Sequence, residues 1–305
     1  MSEISQLQAI GLSIFIGTLA LNFLHKRLLR SQSKSVTVTN VIVYPIKSCK
    51  GINLKSAIIS ERGFLYDRLF MIVDEKGKFV SQRTKPKMCL IETNICWETN
   101  ILTISAPSMK TSLQVSLMSE INDLPLIDVS VWGDPCTATQ AIGDEGNQWF
   151  SEYLETPGLR FVRMHNECVR KTDPKFAPEG QVAFSDGYPF LLVSNSSVEA
   201  LNKKLTKSVP FGNFRPNIVV DCEEAFAEDS WGDILFIHND ADKSSVEMSA
   251  VKPCSRCKVP TIDQQTAQLD PDNEPNRTLK QFHSGQAMNL QEKSWKGEVC
   301  FETIT

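Results

Sequence analysis

The sequence has almost no excess charge of either sign: 32 basic residues stand against 36 acidic ones, a formal net charge of −4. Nucleic-acid binding leaves a basic footprint, so this balance argues against a nucleic-acid partner. Histidine is scarce, with four residues at positions 25, 165, 238 and 283 that stand apart from one another. The nine cysteines are an odd number at uneven spacing, which argues against a secreted disulfide scaffold and for a reducing compartment. No internal repeat and no low-complexity tract is present. The apolar share of 41% and charged share of 22% are those of an ordinary globular protein. About 270 residues behind the N-terminal stretch suffice for one large or two modest packed domains.

The first six residues contain Glu3 and no lysine or arginine, so the positive region of a cleaved signal peptide is missing. Residues 7–24 then form an uncharged apolar run of about 18 residues, just enough to cross a bilayer as a helix. His25, Lys26, Arg27, Arg30 and Lys34 follow. Basic flanks stay on the cytoplasmic side, so a retained anchor would leave the rest of the chain in the cytosol. A short anchor with such a flank is typical of the mitochondrial outer membrane, although other organelle membranes use similar ones. Residues 1–35 are thus expected to be an anchor and a short solvated linker.

From Val36 the runs VTVTNVIVYPI, LFMIVD, ILTISA and LQVSL read as short strands of a barrel-like first half. The spacing predicts one helix capped by Asp144, with Trp149, Phe150, Tyr153 and Leu154 on one face and Pro157-Gly158 at its end. A second opens with Ser196 and Glu199 in capping-box spacing and buries Val198, Leu201 and Leu205. Lys171 to Gly180 has the proline and charge content of a connector, and PFLLVS, PNIVVD and ILFI resume the strand pattern. The expectation is an α+β, mostly β chain divided into residues 36–170 and 171–305.

The sharpest chemical signal is Cys254-Ser255-Arg256-Cys257, two thiols with a cation between them. An arginine favours the thiolate, which is the form that binds metals and reacts. Structural zinc would need two further ligands, and there is no second CxxC and no nearby histidine. A redox pair would need a helix after the motif, which Lys258-Val259-Pro260 opposes. A third reading is one thiolate on a soft redox metal, with other donors holding an anionic cofactor. Tyr44-Pro45-Ile46-Lys47-Ser48-Cys49-Lys50-Gly51 offers lysines, a serine and a glycine just after a strand. Tyr66-Asp67-Arg68, Ser185-Asp186-Gly187 and Asn213-Phe214-Arg215-Pro216-Asn217 add polar groups at strand ends, where sites are commonly built.

In this order, YPIKSCKG, YDRLF with SQR, QVAFSDGYPF, NFRPNIVV, AEDSW, PCSRC-KVPTID and DPD resemble the MOSC-domain proteins, and most closely the mitochondrial amidoxime reducing components. The resemblance implies a MOSC-type β-barrel with a β-rich MOSC N-terminal domain, preceded by one transmembrane helix. It implies a molybdenum–molybdopterin cofactor with Cys257 as the metal ligand and Cys254 as its neighbour. By the same resemblance Lys47, Ser48, Arg68, Ser185, Arg215, Asn217 and Ser255 hold the cofactor, and Asp186 is an acidic catalytic residue near the metal. The implied activity is reduction of N-hydroxylated substrates, such as amidoximes and hydroxylamines. Electrons would come from NADH through cytochrome b5 reductase and cytochrome b5 at the mitochondrial outer membrane.

Two departures stand out. Gly187-Tyr188 replaces a threonine-serine pair usual after the SD dipeptide, and residues 273–305 lack the glycine-aspartate strand with which relatives close the barrel. A rival reading from another functional class is a sulfur or cofactor carrier, as in the MOSC part of molybdenum-cofactor sulfurases, with a persulfide on Cys257. Those sulfurases also carry a pyridoxal-phosphate domain, which these residues do not show. A cofactor-free binding protein that keeps the fold is a third, and metal analysis separates all three.

Removing residues 1–24 is expected to abolish recovery of the protein in the membrane fraction while leaving turnover with soluble partners unchanged. Fractionation of both forms checks this, since a tether acts only by raising effective concentration.

Overall fold

The computed structural model describes residues 36–237, 245–290 and 295–305. The anchor expected over residues 7–24 lies outside them, and among the described residues no helix is long and apolar enough to cross a membrane. Val38–Thr305 forms one compact unit, mostly β with few helices.

The first half comprises β1 (Thr37–Val43), β2 (Ile52–Leu54), β3 (Ile59–Ser60), β4 (Gly63–Phe64) and β5 (Phe70–Val73). It continues with β6 (Glu92–Cys96), β7 (Ile101–Ser105), β8 (Leu113–Ser116), β9 (Ile127–Val131), β10 (Asp134–Gln140), α1 (Asp144–Tyr153) and β11 (Arg160–Met164). The second half holds β12 (Leu191–Ser194), α2 (Asn195–Asn202), β13 (Ile218–Asp221), β14 (Asp233–Ile237) and β15 (Ser245–Ser249). After these come β16 (Lys252–Ser255), α3 (Asn276–Phe282) and β17 (Cys300–Ile304).

Two sheets frame the molecule. One has the order β16-β17-β12-β13-β1-β2, the other β5-β11-β10-β9. The first two strands of the chain therefore complete the sheet of the second half, across the connector at Lys171–Gly180. The sheets meet where the segment after β1 crosses to β5: the Lys47 N–H donates to the Phe70 carbonyl at 2.8 Å, and the Phe70 N–H donates to that of Pro45 at 3.0 Å. β5 is buried along its whole length, as its unbroken FMIV run requires, and β7 alternates as a half-buried strand does. Phe70, Phe150 and Phe161 pack together under the first half, with ring centroids 5.5 and 4.7 Å apart. Phe214 and Phe301 do the same under the second at 4.5 Å.

Both predicted helices exist, with different caps. Gly143, not Asp144, precedes α1, and Asp144 occupies the first turn, where its charge favours the helix dipole. The cap of α2 is Ser194, whose hydroxyl accepts the Ser197 N–H at 3.1 Å, two residues before the expected Ser196. Ser194 wins because its side chain also donates to the buried Glu228 carboxylate at 3.0 Å, a partner no local spacing reveals. The divergent tail does supply a closing strand. β17 inserts between β16 and β12, pairing Lys252 and Leu191 with Ile304.

α3 is held to β17 by His283, whose Nδ1 faces the Cys300 carbonyl and whose Nε2 faces the Asp229 carboxylate, each at 2.8 Å. Burial favours the neutral ring, but Asp229 and the carbonyl outweigh it and raise the imidazole above its ordinary value. A raised folded value stabilises the fold fully below the unfolded pKa of about 6.5 and is lost as pH rises through the folded value. Asp229→Asn should therefore lower unfolding stability by on the order of 1 kcal/mol more near pH 6 than near pH 9. Urea unfolding at both values checks this, and an equal loss would contradict the charged pair.

Candidate functional site

One cleft opens where the two sheets meet, and all nine residues expected from the sequence line it: Lys47, Ser48, Arg68, Ser185, Asp186, Arg215, Asn217, Ser255 and Cys257. They arrive from five separated stretches of chain. Their cationic neighbours Arg83 and Arg256 also line it, so Lys47, Arg68, Arg83, Arg215 and Arg256 stand against Asp186 as the one carboxylate in the lining. Such a concave, cation-rich wall suits an anionic ligand.

The floor is built from a buried polar network. Asp67 accepts the Tyr44 N–H at 2.8 Å and the Asn217 amide at 3.1 Å, and pairs with Arg68 at 2.6 Å. Arg68 donates further to the Asn217 side-chain oxygen at 2.8 Å and to the Arg215 carbonyl at 3.3 Å. The remaining amide hydrogen of Asn217 reaches the Ile42 carbonyl at 3.0 Å. Adjacent unlike charges in a sequence commonly form an ion pair at the surface, but Asp67 is buried with 4% exposure. Asn217 and Arg68 thus spend most of their hydrogen-bonding capacity inside the protein and act by positioning the wall.

Arg68 and Arg215 both lie over the Tyr44 ring, at 4.2 and 4.3 Å. The ring fits because Gly51 has no side chain: a Cβ there would sit 2.6 Å from a ring carbon. Gly51 thus serves Tyr44 rather than a ligand, and Lys50 points away to pair with Glu92 at 2.7 Å. Of the two lysines in that turn only Lys47 reaches the cleft. Arg215, unlike Arg68, has no carboxylate or hydrogen-bond partner for its guanidinium among the described residues. Burial and the neighbouring Arg68 lower its pKa. Ser48, Arg68 and Arg215 all adopt positive φ, at 70, 47 and 63°. Such strain in non-glycine residues concentrates at functional sites.

At the other wall the buried Lys47 ammonium donates to the Phe184 carbonyl at 2.8 Å and pairs with Asp186 at 2.5 Å. Asp186 also accepts the Trp132 indole N–H at 2.9 Å. Burial weakens the Lys47 ammonium. Desolvation also works against an ionised Asp186, but Lys47 and the Trp132 N–H overcome it and hold the carboxyl well below the usual range. Arg170 fixes the loop from behind, donating to the Ser185 and Asp186 carbonyls at 2.5 and 2.8 Å and to Asp134 at 2.9 Å. The Ser185 hydroxyl is buried beside them with no hydrogen-bond partner.

The two motif cysteines differ. Cys257 is exposed, its sulfur 3.5 Å from the Val259 N–H, while Cys254 is half-buried and receives an Arg256 N–H at 3.0 Å. Of the two thiols beside it, Arg256 thus contacts Cys254. It turns inward to a buried ion pair with Glu302 at 3.0 Å and donates to the Phe214 carbonyl at 2.9 Å. A 3-10 turn at Val259–Thr261 follows, rather than the helix of a redox motif. Among the described residues no group of three or more His, Cys, Asp or Glu converges as a metal cage. Tyr44 and Asp67 fall within the motifs quoted from the sequence but were given no site role, and Trp132 and Arg170 were not singled out at all. Trp132 and Arg170 carried no local signal, because their partners Asp186 and Asp134 lie far along the chain.

These features meet the demands of an anionic cofactor with a soft metal: an unpaired guanidinium, an orphaned buried hydroxyl and an exposed thiol share one cleft. Comparisons with known proteins identify the family. The MOSC N-terminal beta barrel domain family matches residues 35–157, and the MOSC domain family matches residues 179–299. The chain is similar to the Mitochondrial amidoxime reducing component 2 of Rattus norvegicus, 33% identical over 90% of this chain and 80% of that protein. It is 34% identical to the Mitochondrial amidoxime-reducing component 1 of Mus musculus, over 90% and 79%. The Molybdenum cofactor sulfurase of Danio rerio is 30% identical over 84% of this chain, which spans 31% of that protein.

The network beneath the cleft predicts a specific instability. Asp67→Ala strands the Arg68 cation and two buried N–H donors, and should cost about 3–5 kcal/mol of unfolding free energy. Urea unfolding measures it, and a loss below about 1 kcal/mol would mean that water replaces the carboxylate.

Proposed function

The chain belongs to the MOSC-domain family, and on that footing we propose that it is a molybdenum-cofactor-dependent reductase of N-hydroxylated compounds, amidoximes and hydroxylamines. The observation that carries the reading is the convergence of an exposed Cys257 thiol with the unpaired Arg215 guanidinium in one cation-rich cleft. Cys257 would ligate the metal. Arg215 would oppose the cofactor phosphate, with Lys47, Ser48, Ser185 and Ser255 as further donors and Arg68 and Asn217 as the frame behind them.

When bound, the cofactor supplies the two electrons that, with two protons, convert an amidoxime to an amidine and water. The protein's own part is binding and proton control. Asp186 enters as a carboxylate, because Lys47 keeps it ionised, so it is an acceptor for substrate N–H groups and not the initial proton donor. Trp132 and Lys47 hold it at the cleft mouth, where its side chain keeps 68% of its exposure.

The reading extends to electrons from NADH by way of NADH-cytochrome b5 reductase and cytochrome b5. It also extends to residence at the mitochondrial outer membrane through the N-terminal anchor, with the catalytic part facing the cytosol. The names of the rat and mouse relatives support the mitochondrial address. The second reading, a sulfur or cofactor carrier with Cys257 as the carrying thiol, draws on the likeness to the Danio rerio sulfurase.

An NADH-consumption assay with the reductase, cytochrome b5 and benzamidoxime tests the proposal alongside metal analysis. Stoichiometric molybdenum with turnover supports it; zinc or no metal favours the alternatives. Cys257→Ser should reduce turnover to background, and full activity in that variant would sink the assignment.

A further inference from the structure

Five cations line the cleft, and three are already answered. Lys47 pairs with Asp186, Arg68 with Asp67 and Arg256 with Glu302. Arg215 is left for the cofactor, on the Tyr44 side. The second unanswered cation is Arg83, which lines the same cleft yet belongs to the opposite wall.

Arg83 is built in rather than loose. Its guanidinium lies 3.9 Å over the Trp132 ring and 5.5 Å from the Phe79 ring, and those two rings pack 5.4 Å apart. Its Nε–H donates to the Ser81 hydroxyl at 3.3 Å. It makes no ion pair among the described residues, so the two outer nitrogens keep their donors. The same Trp132 donates its indole N–H to Asp186, which ties Arg83 to the exposed mouth of the cleft rather than to its floor. A stacked guanidinium with a free fork is pre-organised for a carboxylate.

We propose that Arg83 is a specificity-determining residue that selects substrates carrying a carboxylate in addition to the N-hydroxylated group. The inference rests on the reductase reading for the nature of the reacting group, and on the Trp132–Arg83 stack for the anion. Asp186 and Arg83, linked through one indole, then present an acceptor for the amidoxime N–H groups and a donor fork for the distal carboxylate. The substrate is held at two ends.

Two measurements separate the inference from the reading beneath it. The first is kcat and KM of the loaded protein for benzamidoxime and 4-carboxybenzamidoxime, in the wild type and in Arg83→Met, whose apolar stem still packs on Trp132. The second is equilibrium binding of 4-carboxybenzamidine and benzamidine, followed by tryptophan fluorescence, which needs no turnover. The carboxylated compounds are expected to lose roughly tenfold in affinity and KM in Arg83→Met, the order of one charge-assisted hydrogen bond, with kcat and the uncharged compounds within about twofold. Their advantage in the wild type should shrink as salt is raised. Equal loss for both compounds, an unchanged preference, or molybdenum lost from the variant would overturn the proposal, the last placing Arg83 on the cofactor. If the wild type turns over neither substrate the reductase reading fails, and the binding measurement still decides whether Arg83 recognises the carboxylate.

Discussion

The cleft depends on one buried carboxylate. Asp67 sits where β1 leaves its sheet and gathers the Tyr44 N–H, the Asn217 amide and the Arg68 guanidinium. Taking a carboxylate out of water is costly unless its oxygens are satisfied, and here burial still pushes the acid upward against the pull of Arg68. The chain therefore closes three segments around one side chain. The Tyr44 turn, Arg68 at positive φ and the strand entry at Asn217 cannot move independently. That rigidity lets Arg215 keep a guanidinium half-buried without an anion of its own.

The consequence is a division of labour among residues that look alike in the sequence. Asp67 and Asp186 each pair with a cation in the fold, yet one is enclosed and structural while the other stands at an exposed mouth. Arg68 and Arg256 are answered by internal acids, and Arg83 and Arg215 are not. The distinction rests on partners contributed from far along the chain: Lys47 and Asp186 are 139 positions apart, Arg68 and Asn217 149. The residual positive charge of the cleft is thus a property of the fold.

Legibility in the sequence followed this same line. β5 shows itself by an unbroken apolar run, β7 by alternation, and the buried face of α1 by the spacing of Trp149, Phe150 and Tyr153. The segments that form the cleft could be collected in order because each pairs polar residues with a strand end. What local pattern could not supply was direction. Lys50 and Lys47 are indistinguishable in composition, but a bridge from Ile46 to Phe70 sends one inward and leaves the other beside Glu92. The Arg256 side chain, read as a thiolate partner for the CxxC pair, does reach the Cys254 sulfur, but it is also drawn inward by Glu302, 46 residues later. Ser194 displaced Ser196 as a cap for the same reason.

The tail shows how such a distant partner can rebuild an edge. Residues 273–305 lack the closing motif expected of them, yet β17 pairs with both β12 and β16 and brings Glu302, at φ 72°, against Arg256. An ordinary strand residue would alternate faces without that turn of backbone; here the strained residue delivers the carboxylate that holds Arg256 inward. Arg256 is anchored to Glu302, to the Phe214 carbonyl and to the Cys254 sulfur, which fixes the start of the loop beyond β16 and leaves Cys257 exposed on it. The exposure of the thiol is therefore tied to a strand from the far end of the chain, so this wall of the cleft depends on the pairing geometry of β17.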